Sequence, residues 1–248
     1  MATVTVRAED VELDEPTMVE GLPGVGLVGK LATDHLVEQF DMTYLASVDC
    51  EGLPQISVYE EDNREVRPPV RLYADERNDL LALQSDVPVS ASAATEFAAC
   101  VTDWLADREA TPIYMSGMPH QKQPDDIPSL YGVASGTAGE LLDEVDVGTP
   151  DERGAISGPT GALLSEAADR DLDALGLIVQ SDPQFPDPEA AHILIEQGIA
   201  PLTGIEVDTD DLVDRAEEIS EQKEQLAQRM QEAESDESSQ AQPLRMFQ

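Results

Sequence analysis

Gly24, Gly26 and Gly29 have the spacing at which a polypeptide cradles a dinucleotide pyrophosphate. In that chemistry the glycines let backbone amides reach phosphate oxygens at a helix N-terminus. Asp49, farther along at the end of an apolar segment, stands where such a site places its ribose-binding acid. The same stretch nearly spells a nucleoside-triphosphate loop, Gly24-x-x-x-x-Gly29-Lys30. That loop needs a hydroxyl next, to ligate magnesium, and the residue there is Leu31; Thr33 lies too far along to replace it. Gly21-Leu22-Pro23 precedes the fingerprint and lengthens the loop beyond a tight strand-to-helix turn. The competing reading is that these glycines permit a sharp turn and close packing. Without a second nucleotide-binding feature, it is the better supported of the two. A nucleotide- or small-molecule-binding enzyme using the Gly21–Gly29 loop stays as the alternative.

Other reactive constellations are sparse. His35, His120 and His192 are scattered, and neither Gly-x-Ser-x-Gly nor His-Glu-x-x-His occurs. Cys50 and Cys100 lie in apolar contexts without ligand spacing and are expected to be reduced core residues. With 52 acidic residues in the chain, a neighbouring carboxylate pair carries little information. The expectation is no catalytic residue, no cofactor, no metal and no enzyme.

The elements that hold these loops follow from hydrophobic periodicity. A short strand over 17–20 leads into the glycine loop, and a helix over 30–40 follows it. Residues 42–50 read as a buried strand and 55–62 as an alternating one. Residues 70–76 and 80–86 form a hairpin around Arg77-Asn78-Asp79. Ala94, Phe97, Ala98, Val101, Trp104 and Leu105 share one face of a helix over 90–108. Strands over 111–119 and 131–135 and a short helix within 136–145 come next. A second glycine cluster, 154–164, leads into a helix over 162–170. Residues 175–182 read as a central strand, and a helix starts near Pro188. Strands alternating with helices predict an α/β sheet covered on both faces and at least partly parallel.

From Thr209 the texture changes. Leu212, Ala216, Ile219, Lys223, Leu226, Met230 and Ala233 repeat at alternating four- and three-residue steps. That is a heptad seam, either a short coiled coil or a helix packed on its own domain. Residues 234–243 are polar and read as a flexible linker, and Leu244-Arg-Met-Phe-Gln248 is apolar again. The division is 1–207 for the α/β domain, 208–234 for the helix and 235–248 for the tail.

Composition bounds the setting. The net charge is −38, with 14 basic residues, of which only Lys30, Lys122 and Lys223 are lysines. Acids spread along the whole chain suit a protein hydrated in molar salt, where the Debye length falls to about 3 Å. With no Lys/Arg cluster to meet phosphates, direct DNA or RNA binding is not expected. The N-terminus has no signal pattern and no apolar run is long enough to span a bilayer, so a cytoplasmic, membrane-free protein is expected.

Gly21-Leu-Pro-Gly-Val-Gly-Leu-Val-Gly29, following a short strand, resembles the N-terminal signature of the PAC2 family of proteasome assembly chaperones. Gly158-Pro-Thr-Gly-Ala-Leu-Leu164, then a strand, then Pro186-Asp-Pro-Glu-Ala-Ala191, resembles the family's second half. The likeness spans roughly residues 15–205 in one order, and the acidic composition is what is expected of a haloarchaeal member. It implies a three-layer α/β/α sandwich similar to nucleoside phosphorylases, with no retained catalytic site. It also implies homo-oligomers and, in archaeal members, proteasome subunits as partners. Gly21, Pro23, Gly24, Gly26, Gly29, Gly158 and Gly161 are then structural signature positions. Met246-Phe247-Gln248 resembles the C-terminal docking motif of proteasome activators, with Phe where the motif has Tyr.

Overall fold

The computed structural model describes residues 2–59, 64–121, 126–184 and 186–214. Among these residues ten strands form: β1 (Thr3–Val6), β2 (Thr17–Gly21), β3 (Thr43–Asp49), β4 (Val58–Tyr59), β5 (Val66–Arg67), β6 (Val70–Asp75), β7 (Leu80–Ser85), β8 (Thr111–Pro119), β9 (Leu130–Ser135) and β10 (Ala174–Ser181). The helices are α1 (Val28–Gln39), α2 (Ala91–Ala106), α3 (Gly139–Glu144), α4 (Gly158–Asp169), α5 (Pro188–Leu194) and α6 (Ala200–Thr203). A 3₁₀ turn, Val25–Leu27, precedes α1, and a π-helical turn, Ile195–Ile199, joins α5 to α6.

Eight strands form one sheet in the order β1-β3-β6-β7-β2-β8-β10-β9. β7, β2, β8 and β10 run parallel to one another at its centre. β9 is antiparallel on one side, and β6, β3 and β1 continue antiparallel on the other. The sheet is covered on both faces. α2 and α4 pack with Met18, Leu72, Leu81 and Leu83 on one, and α1 and α5 pack with Val19, Leu80, Ile113 and Leu177 on the other. Successive strand residues therefore enter opposite cores, which is why β7 reads as an almost unbroken apolar run. The result is a three-layer α/β/α fold.

Most elements lie where periodicity put them. The hairpin turns at Arg77-Asn78-Asp79 as expected, and Asp75 stabilises it by accepting from the Arg77 N–H at 3.1 Å and the Asn78 amide at 2.6 Å. All six residues of the proposed α2 face are buried, and Ser90 caps the helix by accepting from the Ala93 N–H.

Two elements differ. Of the strand expected over 55–62, residues 55–57 are not in a strand, Val58–Tyr59 pairs with β5 in a hairpin apart from the main sheet, and residues 60–62 lie outside the described residues. α4 begins at Gly158, not at residue 162, because Pro159 takes a first-turn position where its missing N–H costs nothing. The Thr3–Val6 strand, which periodicity did not flag, pairs antiparallel with β3.

The helix expected from Thr209 is described only through residue 214. There Leu212 is fully buried in the core that holds α1 and α5, and His35 Nε2 in α1 hydrogen-bonds the Asp208 carbonyl at 2.6 Å. The rest of the seam, Ala216 to Ala233, and the tail with Met246, Phe247 and Gln248 lie outside the described residues.

Candidate functional site

In parallel α/β sheets, ligands settle outside the carboxyl ends of the strands. Here the carboxyl ends of β2, β8 and β10 bring both glycine clusters and the Pro186–Ala191 segment together. The organising residue is Glu20, fully buried at the end of β2. Its Oε1 accepts from the Leu22 N–H at 3.2 Å and from the Thr160 hydroxyl at 3.1 Å. Its Oε2 accepts from the Met115 N–H of β8 at 3.0 Å. One carboxyl thus joins the first loop, the second cluster and the central sheet. Burial raises its pKa to about 7, against the opposing pull of those three donors. Tyr114 lies beside it, and burial, with Glu20 adding to it, pushes the phenol well above its ordinary range.

The first loop closes against β10 and α5. Gly26 has a φ of +63°, and a Cβ there would collide with the Ser181 hydroxyl. Its carbonyl accepts from the Asp187 N–H at 2.8 Å. The buried Asp187 carboxylate in turn accepts from Ser181 Oγ at 3.1 Å, from the Asp182 N–H at 2.9 Å and from the Ala190 N–H at 3.1 Å. It therefore caps α5 and clamps the loop at once. Gly21 and Gly29 serve close packing. A Cβ at Gly21 would lie 2.5 Å from Thr33 Cβ, and one at Gly29 would lie 3.1 Å from the Glu20 carbonyl.

Pro23 is half-buried, and Gly24 is exposed in extended backbone with open space around it. In the second cluster Gly158 has a φ of +71° with open space beside it, whereas Gly161 lies against the Ile156 carbonyl. The spacing that suggested a dinucleotide fingerprint is therefore heterogeneous: Gly26 and Gly29 are demanded by packing, and Gly24 is not.

Lys30, which a triphosphate loop would aim at phosphates, instead pairs with Asp34 at 2.8 Å and Asp86 at 3.4 Å. The side of the loop facing β10 is filled by a serine and a carboxylate, which leaves anionic phosphate an unfavourable neighbour. Among the described residues no group of three or more His, Cys, Asp or Glu side chains is placed to hold a metal, and none of their helices is long and apolar enough to cross a membrane. His120 is held by its backbone N–H to the Ser181 carbonyl at 2.9 Å, and His192 lies 3.3 Å from Glu196. Cys50 is buried and Cys100 half-buried, both as free thiols.

Sequence reasoning missed Glu20, Thr160, Ser181 and Asp187. Signals existed. Glu20 is an acid inside an apolar strand next to a glycine loop, and Asp187 precedes a proline that opens a helix.

Equal spacing and unequal packing give a direct prediction. Gly26→Ala must adopt a left-handed conformation costing about 1–2 kcal/mol and must also displace Ser181, so thermal unfolding should move down by several degrees. Gly24→Ala should leave stability within about 0.5 kcal/mol. Thermal denaturation of the two variants side by side checks it.

The three-layer α/β/α fold is one that this molecule shares with a known class. The sequence pattern of the PAC2 family matches residues 18–227, and the chain belongs to that family. It is similar in structure to Pyrococcus furiosus PbaA, described as an archaeal homolog of proteasome-assembly chaperone. The TM-score is 0.81 and the identity 26%, covering 96% of this chain and 97% of that one. Pyrococcus furiosus PbaB, described as an archaeal proteasome activator, shares the fold with a TM-score of 0.73 at 22% identity, over 91% and 98% of the two chains. An uncharacterized Methanocaldococcus jannaschii protein, MJ0106, is 24% identical over 225 residues, 90% of either chain.

Proposed function

We propose that this chain is a non-enzymatic proteasome assembly chaperone or adaptor. It acts as a homo-oligomer in the salt-rich cytoplasm of a haloarchaeon and binds 20S proteasomes or their α-subunits. The observation that carries this reading is the end-to-end likeness to PbaA, which leaves almost none of either chain unaccounted for. The closed loops agree with it: Ser181, Asp187 and Thr160 occupy surroundings that a nucleotide enzyme would keep open. The docking element is Met246-Phe247-Gln248. Its apolar residues suit a pocket between ring subunits, and several such segments on one oligomer raise the effective concentration at the ring.

Deleting residues 244–248 should reduce recovery of proteasome or α-subunits by at least tenfold in a pull-down at constant salt. Phe247→Tyr supplies the hydroxyl that the related motif carries. One added hydrogen bond of about 1 kcal/mol corresponds to roughly fivefold tighter binding. Equal recovery by the full chain and the deletion would remove the C-terminal segment from the mechanism.

A further inference from the structure

Beside the second glycine cluster, between β8, β10, β9 and α4, lies a cleft of about 700 Å³. Its apolar surface comes from Met118, Ile156, Leu164 and Ile178, and Asp151 and Glu152 stand among its lining residues. Tyr131 donates its hydroxyl to Asp151 at 3.1 Å and so fixes that carboxylate at the edge. Large apolar side chains are left open here: Met118 is 36% exposed, and Ile127 is 74% exposed. Ile127 lies two residues before Ser129, whose N–H donates to Gln180 of the cleft at 3.2 Å. On a chain this acidic, an apolar cleft edged by carboxylates fits a partner that is apolar and cationic.

One segment of this chain has that chemistry. After Glu237 no acidic residue occurs, and Leu244-Arg245-Met246-Phe247 sets one guanidinium among three large apolar side chains. Reach sets no obstacle. Residues 215–243 would span about 44 Å even as a continuous helix and about twice that extended, against a domain radius of gyration of only about 17 Å.

We propose that the 244–247 segment docks in this cleft, with Arg245 facing Asp151 and Glu152 and with Met246 and Phe247 on the apolar floor. The inference rests on the proposed use of that segment for proteasome docking and adds a control to it. A stowed segment must leave the cleft before it can engage a ring, so cleft and proteasome compete for the same residues.

The test uses the full-length chain with a photo-crosslinking benzoylphenylalanine in place of Phe247. Irradiation followed by peptide mass spectrometry should place most crosslinks within 116–119, 150–156 and 161–164. Asp151→Arg with Glu152→Arg should cut that yield at least fivefold, and adding Arg245→Glu should restore it. Both changes lie on exposed side chains, and an unchanged melting temperature separates loss of docking from loss of fold. Crosslinks confined to other surfaces, or a yield indifferent to both charge reversals, would overturn the proposal. Proteasome recovery is measured on the same variants carrying native Phe247. Freed by Asp151→Arg with Glu152→Arg, the segment should recover several times more proteasome. Recovery of none by any variant would sink the docking function while leaving the crosslink map to judge the cleft.

Discussion

Replacing Arg71 with alanine should lower the free energy of unfolding by about 3–5 kcal/mol, the cost of removing a buried guanidinium and leaving its several acceptors unpaired. Arg71 is 3% exposed near the start of β6. Its Nη1 lies 2.7 Å from Asp86 Oδ2 and donates to the Pro68 carbonyl at 2.8 Å. Nη2 donates to Gln84 Oε1 at 2.8 Å, and Nε donates to the Tyr73 hydroxyl at 2.9 Å. Gln84 passes the connection on to Asp34 of α1 at 2.7 Å, where Lys30 closes the circuit. The network therefore binds the helix after the first glycine loop to the β6–β7 hairpin. Alanine removes every donor and, among the described residues, leaves Asp86 with only Lys30, at 3.4 Å. Lysine should rescue little, because a point charge cannot serve four acceptors spread around a planar fork. Urea titration of the wild type, Arg71→Ala and Arg71→Lys measures it. A loss below 1 kcal/mol for alanine would mean that the network is not a structural tie.

The second large effect is a pH dependence carried by Glu20. Its folded pKa of about 7 stands above its ordinary value of 4.5. Between these values the folded chain holds a proton that the unfolded chain releases. The contribution of Glu20 is therefore complete below about pH 4.5 and declines as pH rises through about 7, then levels off. That separation corresponds to about 3 kcal/mol across the window. Glu20→Gln cannot titrate, so wild-type stability minus variant stability should fall by about that amount between pH 4.5 and 7.5. The difference matters because the other carboxylates contribute slopes of their own that cancel in it. A difference flat with pH would show that Glu20 is ionised in the fold throughout.

These two residues also show what a linear sequence conceals. The β6–β7 hairpin was legible because polar Arg77-Asn78-Asp79 interrupts two apolar runs, and α2 because its large residues recur at helical spacing. The start of α4 was not, because Gly158 and Pro159 signal a break in sequence but suit a helix's first turn in space. Residues 55–59 alternate like a sheet strand, yet only Val58–Tyr59 pairs, and only with its own hairpin partner. Alternation states which faces differ and not which strand lies alongside.

The buried acids were hidden by abundance. Glu20 and Asp187 are two carboxylates among 52, and only burial and their convergent donors set them apart. Lys30 in a glycine loop suggested phosphate, whereas its partners, Asp34 and Asp86, come from α1 and from just beyond β7. The spacing of Gly26 and Gly29 was visible; that Ser181 and the Glu20 carbonyl lie against them depends on a strand order no local pattern encodes.

Gripping proteasome subunits is the proposed work of this PAC2 chain. The most direct measurement is equilibrium binding of the full-length chain to purified 20S particles and to isolated α-subunits, followed by mass photometry at matched salt. A saturable complex of defined stoichiometry, weakened at least tenfold when residues 244–248 are removed, is the predicted outcome. No complex with either species at micromolar concentrations, under conditions where the chain is folded, would contradict it.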